Sequence, residues 1–330
     1  MKTIAFFNNK GGVGKTTLCF HLAHMMGRLG KRILVVDLDP QANLTAYFMD
    51  EEQIEELWAE ESRPVTVSHC LGPLQEIEAV PFPTPVLHED GPRLALLPGN
   101  VNLGSFEDLM AQAWLQLGTK MPQSYIRTTI AFHSLIRNAA ADWAPDAVLV
   151  DVGPNLGGVT RAALLASDLM IVPLAADVFS LQGLRNLGPT IDGWRRQWQE
   201  VRSGVEATGS AASLPAGEMR PVGYVLQQHV VRKGQPTRAF QRMFARVPDV
   251  YREAVLRTEG CSVGDSADDP NCLGQARNYQ SLVPLSQDAH KPIFDLRPGD
   301  GAIGAHQAYV QRAYENFREL TEAVVERCKI

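Results

Sequence analysis

Cysteine is scarce in this chain, and the five present (Cys19, Cys70, Cys261, Cys272 and Cys328) are far apart, odd in number and never form a CxxC pair. That pattern excludes a disulfide framework and offers no evident zinc site, so the expectation is a reduced protein. No leader-like segment precedes the first apolar run, which points to a cytoplasmic chain. No apolar stretch approaches the length of a membrane span. An excess of positive charge is also missing: 31 Lys and Arg stand against 37 Asp and Glu, for a net charge of −6. A wholly basic nucleic-acid binder is therefore disfavoured, although a basic patch on one face is compatible with that total. What is present is ample apolar content, 45% of 330 residues, enough for one large α/β domain or two smaller ones.

The most informative stretch is Asn8-Asn9-Lys10-Gly11-Gly12-Val13-Gly14-Lys15-Thr16-Thr17. Residues 3–7 before it form an apolar run that reads as a buried strand. After it, Leu18, Leu22, Met25, Met26 and Leu29 recur at helical spacing. Strand, glycine loop and helix are the context of a phosphate-binding loop, and Gly11 to Thr17 has the required spacing. Glycines let backbone N–H groups turn inward around phosphates at the positive end of the following helix. Lys15 can neutralise β- and γ-phosphate charge, and the Thr16 hydroxyl can ligate Mg²⁺. Gly11, Gly12, Val13, Gly14, Lys15, Thr16 and Thr17 are the candidate nucleotide-binding residues.

Two further strand ends carry carboxylates. Residues 32–36 are apolar enough for a buried strand and run into Asp37-Leu38-Asp39-Pro40-Gln41-Ala42-Asn43. In an extended segment Asp37 and Asp39 point the same way, and their repulsion calls for a cation or polarised water between them. Residues 147–150 form another buried strand ending in Asp151, the pattern in which an aspartate holds a Mg²⁺-bound water.

Lys10, ahead of Gly-Gly-Val-Gly-Lys, resembles the signature lysine of the deviant Walker A motif in the ParA/MinD family of P-loop ATPases. The 37–43 stretch resembles that family's DxDPQxN motif. Asp151-Val152-Gly153-Pro154-Asn155-Leu156-Gly157 resembles its DxPPxLG switch, with Gly153 where a proline is usual, a departure that suggests a more mobile loop. Phe179-Ser180-Leu181-Gln182-Gly183-Leu184 resembles the stretch whose helix lies at the dimer face. Residues 282–292 resemble the late loop that closes over the base, which nominates Pro284. By this resemblance Lys10 acts across a dimer interface, Asp39 positions or activates the attacking water, and Thr16, Asp37 and Asp151 organise Mg²⁺. Family members often read adenine with an Asn after the strand at 221–226; here Gln227 or Gln228 stands there.

The remaining segments carry less chemistry. Residues 50–92 are irregular and proline-broken, with an acidic helix near 51–58. A strand near 93–97 precedes helices near 105–117 and 125–141, and another strand falls at 168–174, followed by a helix running through Trp194. The Gly, Ser and Ala-rich stretch 203–217 reads as a flexible insertion, and residues 260–274 as a polar loop. Arg232, Lys233, Arg238, Arg242, Arg246, Arg252 and Arg257 make a basic segment, opposed by Asp249 and Glu253. A helix would align Arg238, Arg242 and Arg246 on one face, and Arg232 through Arg246 are the candidate DNA contacts. In the last helix Val310, Tyr314, Phe317, Thr321, Val324 and Cys328 form one stripe whose polar surroundings are mixed in charge. That suits packing against the domain better than gripping anionic lipid.

The expected fold is a doubly wound α/β domain over residues 1–330, its mostly parallel sheet flanked by helices. The resemblance implies an ATP- and Mg²⁺-dependent dimerisation switch with weak ATPase activity. It would position or partition DNA or another large cargo through nonspecific DNA binding over the nucleoid, with a ParB-like or cargo-adaptor activator and no membrane. Rival readings are a MinD-like membrane-cycling ATPase, an iron–sulfur carrier using Cys261 and Cys272, and a P-loop biosynthetic enzyme.

Overall fold

The computed structural model describes residues 1–59, 65–76, 86–87, 93–117, 123–175, 177–207, 213–227, 243–258, 269–277, 279 and 281–330. Its strands are β1 (Lys2–Phe6), β2 (Ile33–Leu38), β3 (Val86–Leu87), β4 (Leu94–Leu97), β5 (Ala147–Val152), β6 (Leu169–Ala175), β7 (Arg220–Gln227) and β8 (Cys272–Ala276). They form one sheet in the order β3-β4-β2-β5-β1-β6-β7-β8. Every pairing is parallel except that of β3 with β4 at one edge.

Parallel strands covered on both faces need apolar side chains in both alternating sets. Ile4, Phe6, Val35 and Leu149 pack into one core layer, with helices α1 (Lys15–Arg28) and α2 (Asn43–Phe48) and the C-terminal helix His306–Cys328, while α3 (Glu51–Ala59) buries none of its residues. Ala5, Phe7, Val36, Val148 and Val150 pack into the other, with α4 (Val67–Leu71), α5 (Glu107–Gln116), α7 (Ala131–Trp143), α8 (Gly158–Leu165) and α9 (Val178–Ala207). The strand order reverses direction between β1 and its neighbours. Such a switch point, at the carboxyl ends of the strands, is where doubly wound sheets bind ligands.

The structure revises the expected elements in several places. β8 begins inside the predicted polar loop and runs two residues past it; its pattern is weak because only Leu273 and Ala276 of Cys-Leu-Gly-Gln-Ala are buried. The predicted helix at 125–141 is two helices, α6 (Gln123–Thr129) and α7, which meet at three successive β-branched residues, Thr128, Thr129 and Ile130. α9 runs on to Ala207, because Val201 and Val205 extend its buried stripe and Arg202 pairs with Glu206 one turn on at 2.9 Å. At the far side of the predicted insertion, Pro215 accepts a hydrogen bond from Trp198 Nε1 at 3.0 Å. The stripe on the last helix is buried as expected, with Phe317, Thr321, Val324 and Cys328 against the domain. No helix among the described residues is long and apolar enough to cross a membrane.

His21 locks the C-terminal segment onto α1. Its Nε2 accepts from the Ile293 amide at 3.0 Å, so Nδ1 carries the proton and donates to Thr17 O at 2.6 Å, while the ring stacks on Phe317. Burial pulls its pKa down to about 4 from 6.5, against the Thr17 hydrogen bond. Between those values the unfolded chain takes up a proton that the folded one refuses, so stability falls as pH drops through the window. Half-buried His133 acts in the same direction, and Asp37, pushed up to about 6, acts in the opposite one. His21→Gln keeps a donor and an acceptor but cannot titrate. Relative to this variant, the wild type should lose about 2 kcal/mol between pH 7.5 and 5 in urea unfolding; parallel profiles would refute the assignment.

Candidate functional site

The loop between β1 and α1 turns through two glycines in the left-handed region, Gly12 (φ 70°) and Gly14 (φ 74°). Gly14 caps α1, whose first turn holds no acidic residue, so the positive end of the helix opens toward the loop. Lys15 is buried, with Nζ reaching back to 3.5 Å from the carbonyl of Lys10 across the loop. Burial pulls its pKa below the ordinary lysine value, with Asp151 and Asp39 opposing the shift. Asn8 anchors the loop: Nδ2 donates to Pro173 O at 2.7 Å, and Oδ1 accepts from the Lys10 amide at 3.0 Å.

The carboxylates converge as expected. Asp37 on β2 and Asp151 on β5 are register partners, both fully buried on the α1 side of the sheet. Thr16 Oγ1 donates to Asp151 Oδ2 at 2.6 Å. Asp37 Oδ2 accepts from both Thr45 Oγ1 (2.7 Å) and the Thr45 amide (2.8 Å), and Oδ1 accepts from the Asp39 amide at 3.2 Å. Burial pushes Asp37 up to about 6 and Asp151 well above its ordinary value; the Thr45 bonds lower the first, and the charge of Asp37 adds to the second.

Among the described residues, no three His, Cys, Asp or Glu side chains gather as a metal-holding group. Mg²⁺ bound with phosphates needs fewer protein ligands than that. Asp151 Oδ1 is buried and has no hydrogen-bond partner among the described residues. With the Thr16 hydroxyl beside it, the donor set fits one hard cation, and Asp37 stands behind it as the anchor of the Asp39 loop.

Gly153, expected to loosen its loop, has a steric reason to lack a side chain. A Cβ there would stand 3.2 Å from Asp39 Oδ1 and 3.4 Å from Pro40 Cδ. Lys10 points away from its own loop and pairs with Asp177, which also accepts from the Ser180 amide at 2.8 Å in the first turn of α9. Beside that pair Val178 and Phe179 are 64% and 75% exposed. Sequence reasoning missed Asp177, 167 residues from Lys10; only its place next to the Phe179–Leu184 stretch could have drawn notice.

A cavity of about 140 Å³ adjoins the loop, lined by Gly12, Gly14, Thr17, Gln227, Arg277 and Tyr279 among others. Gln227 lies over Gly14, its side chain 3.3 Å from where a Cβ would be. Pro284 is exposed and does not line this cavity; its neighbour Val283 does. The prediction missed Arg277 and Tyr279, which come from the end of the unrecognised β8.

Of the basic segment, Arg232, Lys233, Arg238 and Arg242 lie outside the described residues. Arg246 is exposed and lies in a turn at 245–246. Arg252 pairs with Asp249 at 2.6 Å and Arg257 with Asp192 at 3.3 Å. Cys272 is half-buried, whereas Cys19, Cys70 and Cys328 are buried; Cys261 lies outside the described residues.

A phosphate loop after β1, with acidic ends on β2 and β5 of a doubly wound sheet, defines a P-loop nucleotide-binding protein. Residues 1–202 match the family model described as an AAA domain, and the chain belongs to that family, its resemblance to the ParA/MinD P-loop ATPases included. It is 32% identical over 205 residues to the chromosome-partitioning ATPase Soj of Thermus thermophilus, covering 62% of this chain and 64% of that protein. The chain thus spans just under two thirds of that relative's length. Soj of Treponema pallidum is 28% identical over 285 residues, covering 86% of this chain and 95% of that one. A solved protein of Corynebacterium diphtheriae superposes with a TM-score of 0.71 at 27% identity, covering 99% of this chain and 98% of its own. The Cyanothece McdA–ATP complex, at 15% identity and TM-score 0.62, shares the fold.

Gly183 is where α9 meets the loop, since a Cβ there would stand 2.5 Å from Asn9 Oδ1. Overpacking at such a contact typically costs about 1–3 kcal/mol. Gly183→Ala should therefore weaken binding of a fluorescent ATP analogue about tenfold while the fold is kept. Wild-type affinity would show that the loop does not depend on this contact.

Proposed function

We propose that this protein is an ATP-dependent dimerisation switch with slow ATPase activity, which positions DNA or another large cargo. The placement of Lys10 carries the reading. An ordinary phosphate loop uses one lysine, and Lys15 occupies that role. Lys10 stands partly exposed on the rim, held by Asp177 next to the apolar side chains of Val178 and Phe179, with Leu156 of the 151–157 loop 37% exposed as well. A second copy laid over this rim would cover those side chains and receive Lys10 at its own phosphates. The names of the Soj relatives as chromosome-partitioning ATPases support the same reading.

Mg²⁺ would offset phosphate charge when bound beside Thr16 and Asp151. Lys15 and the 11–17 amides hold the phosphates, and Asp39 orients the attacking water and accepts its proton. In-line phosphoryl transfer asks for little beyond this positioning and charge stabilisation. Light scattering should show dimers with a slowly hydrolysed ATP analogue but not with ADP, and monomers for Lys10→Ala in both. Equal dimerisation of the two proteins would remove Lys10 from the interface. Asp39→Ala should bind ATP normally and turn it over about a hundredfold more slowly; turnover at the wild-type rate would refute its role.

DNA binding follows only if arginines gather on one face of a chain with net charge −6. Arg246 and the 232–242 residues are the candidates, because the described Arg252 and Arg257 are already paired with carboxylates. Phosphate contacts give a log–log salt slope of about −0.9 per phosphate neutralised, whatever the sequence. On random duplex DNA, Arg238→Ala/Arg242→Ala should lower both the affinity and the slope of the ATP-bound protein. An unchanged slope would eliminate this patch, and a wild type that binds no DNA at low salt would eliminate the DNA role.

A further inference from the structure

We propose that Glu107 is the positioning residue for the loop after Asp151, setting from its far end how that loop lies against Asp39. The inference rests on reading this site as one that turns over ATP. The loop is held at two ends. At the near end Gly153 lies against Asp39 and Pro40, as described above. At the far end the chain enters α8, whose capping residue Gly157 has no side chain to satisfy the first free amides.

Glu107, the first residue of α5, supplies that cap from another element. Its Oε1 accepts from the Gly158 amide, and its Oε2 accepts from the Val159 amide at 3.1 Å. Both carboxylate oxygens are thus engaged with N–H groups at the positive end of a helix, where a negative charge is stabilising. The two glycines are matched to this arrangement. A Cβ on Gly157 would stand 2.1 Å from Glu107 Oε1, and one on Gly158 would stand 2.6 Å from the Ala111 amide nitrogen and 2.7 Å from Glu107 O. Between the two ends Asn155 and Leu156 are exposed, so contacts at the ends dominate the path of the loop.

A second contact keeps the anchor in place. Arg161 of α8 lies over the Trp114 ring of α5 at 4.7 Å and the Trp194 ring of α9 at 5.7 Å. Burial lowers its pKa to about 10, while the charge of Glu107 opposes the shift. Glu107 and Arg161 therefore hold α5 and α8 together from both sides of the loop's exit. Glu107 touches neither phosphate loop nor Asp39; it acts through residues 153–158.

The test compares wild type, Glu107→Ala and Glu107→Gln by steady-state ATPase kinetics and by hydrogen exchange of the nucleotide-free proteins. Misplacing a catalytic group by a fraction of an ångström costs about tenfold or more. Glu107→Ala should lose about that much in kcat with KM for ATP within about twofold, and its Gly158 and Val159 amides should exchange about tenfold faster. Glu107→Gln, which keeps one acceptor oxygen, should recover most of kcat. Faster exchange with unchanged kcat would make Glu107 a helix cap and nothing more, and lost kcat with unchanged exchange would remove the loop from the explanation; either overturns the proposal. If Glu107→Ala does not fold, Gly157→Ala must reproduce the kcat loss, because its Cβ displaces the carboxylate without deleting it. A wild type with no ATPase activity would overturn the reading of the site, and the exchange data would then decide the anchoring independently.

Discussion

Two fully buried carboxylates in register on adjacent strands are the constraint around which this site is built. Asp37 and Asp151 each lose hydration, which is the main reason both are displaced upward; the charge of Asp39 adds to the first and the charge of Asp37 to the second. Buried carboxylates of this kind persist where hydrogen bonds or opposite charge meet them. Asp37 takes three such bonds from Thr45 and Asp39, and Thr45 is itself fixed by the Gly99 amide at 2.8 Å. Asp151 takes one from Thr16 and faces the Lys15 ammonium. The division of labour follows: the saturated carboxylate organises the Asp39 loop, and the one with a spare oxygen is the better cation ligand.

The same crowding explains where glycine is required. A Cβ at Gly99 would come within 2.8 Å of Asp37 Cγ, and one at Gly153 within 3.2 Å of Asp39 Oδ1. Backbone packed this closely leaves the carboxylates little room to separate. Their mutual repulsion is therefore met by donors and counter-charge rather than by movement.

Strands buried on both faces announce themselves as unbroken apolar runs, so β1, β2, β4, β5, β6 and β7 were legible, together with the phosphate loop between β1 and α1. The two outermost strands were not. β3 is two residues long, and β8 alternates buried with half-buried positions around Gly274 (φ 148°). Losing β8 concealed Arg277 and Tyr279 and left Pro284 to stand for the cavity. Local motifs were readable because the glycine loop and the strand-end carboxylates have fixed spacing in the sequence. Partners brought together by the sheet order alone, Lys10 with Asp177 and Glu107 with Gly158, have no spacing to read.

Those long-range partners share a geometry. α8 starts where the Asp151 loop ends, and α9 starts just after Asp177, the residue that holds Lys10. Arg161, in the first turn of α8, lies between Trp114 and Trp194 and ties α8 to α9 well away from the start of α9. Cation–π contacts of this partly desolvated kind are worth roughly 0.5–2 kcal/mol each, comparable to a tenfold change in an equilibrium. The clamp therefore holds α8 against α5 and α9 within one turn of the point where the Asp151 loop enters α8.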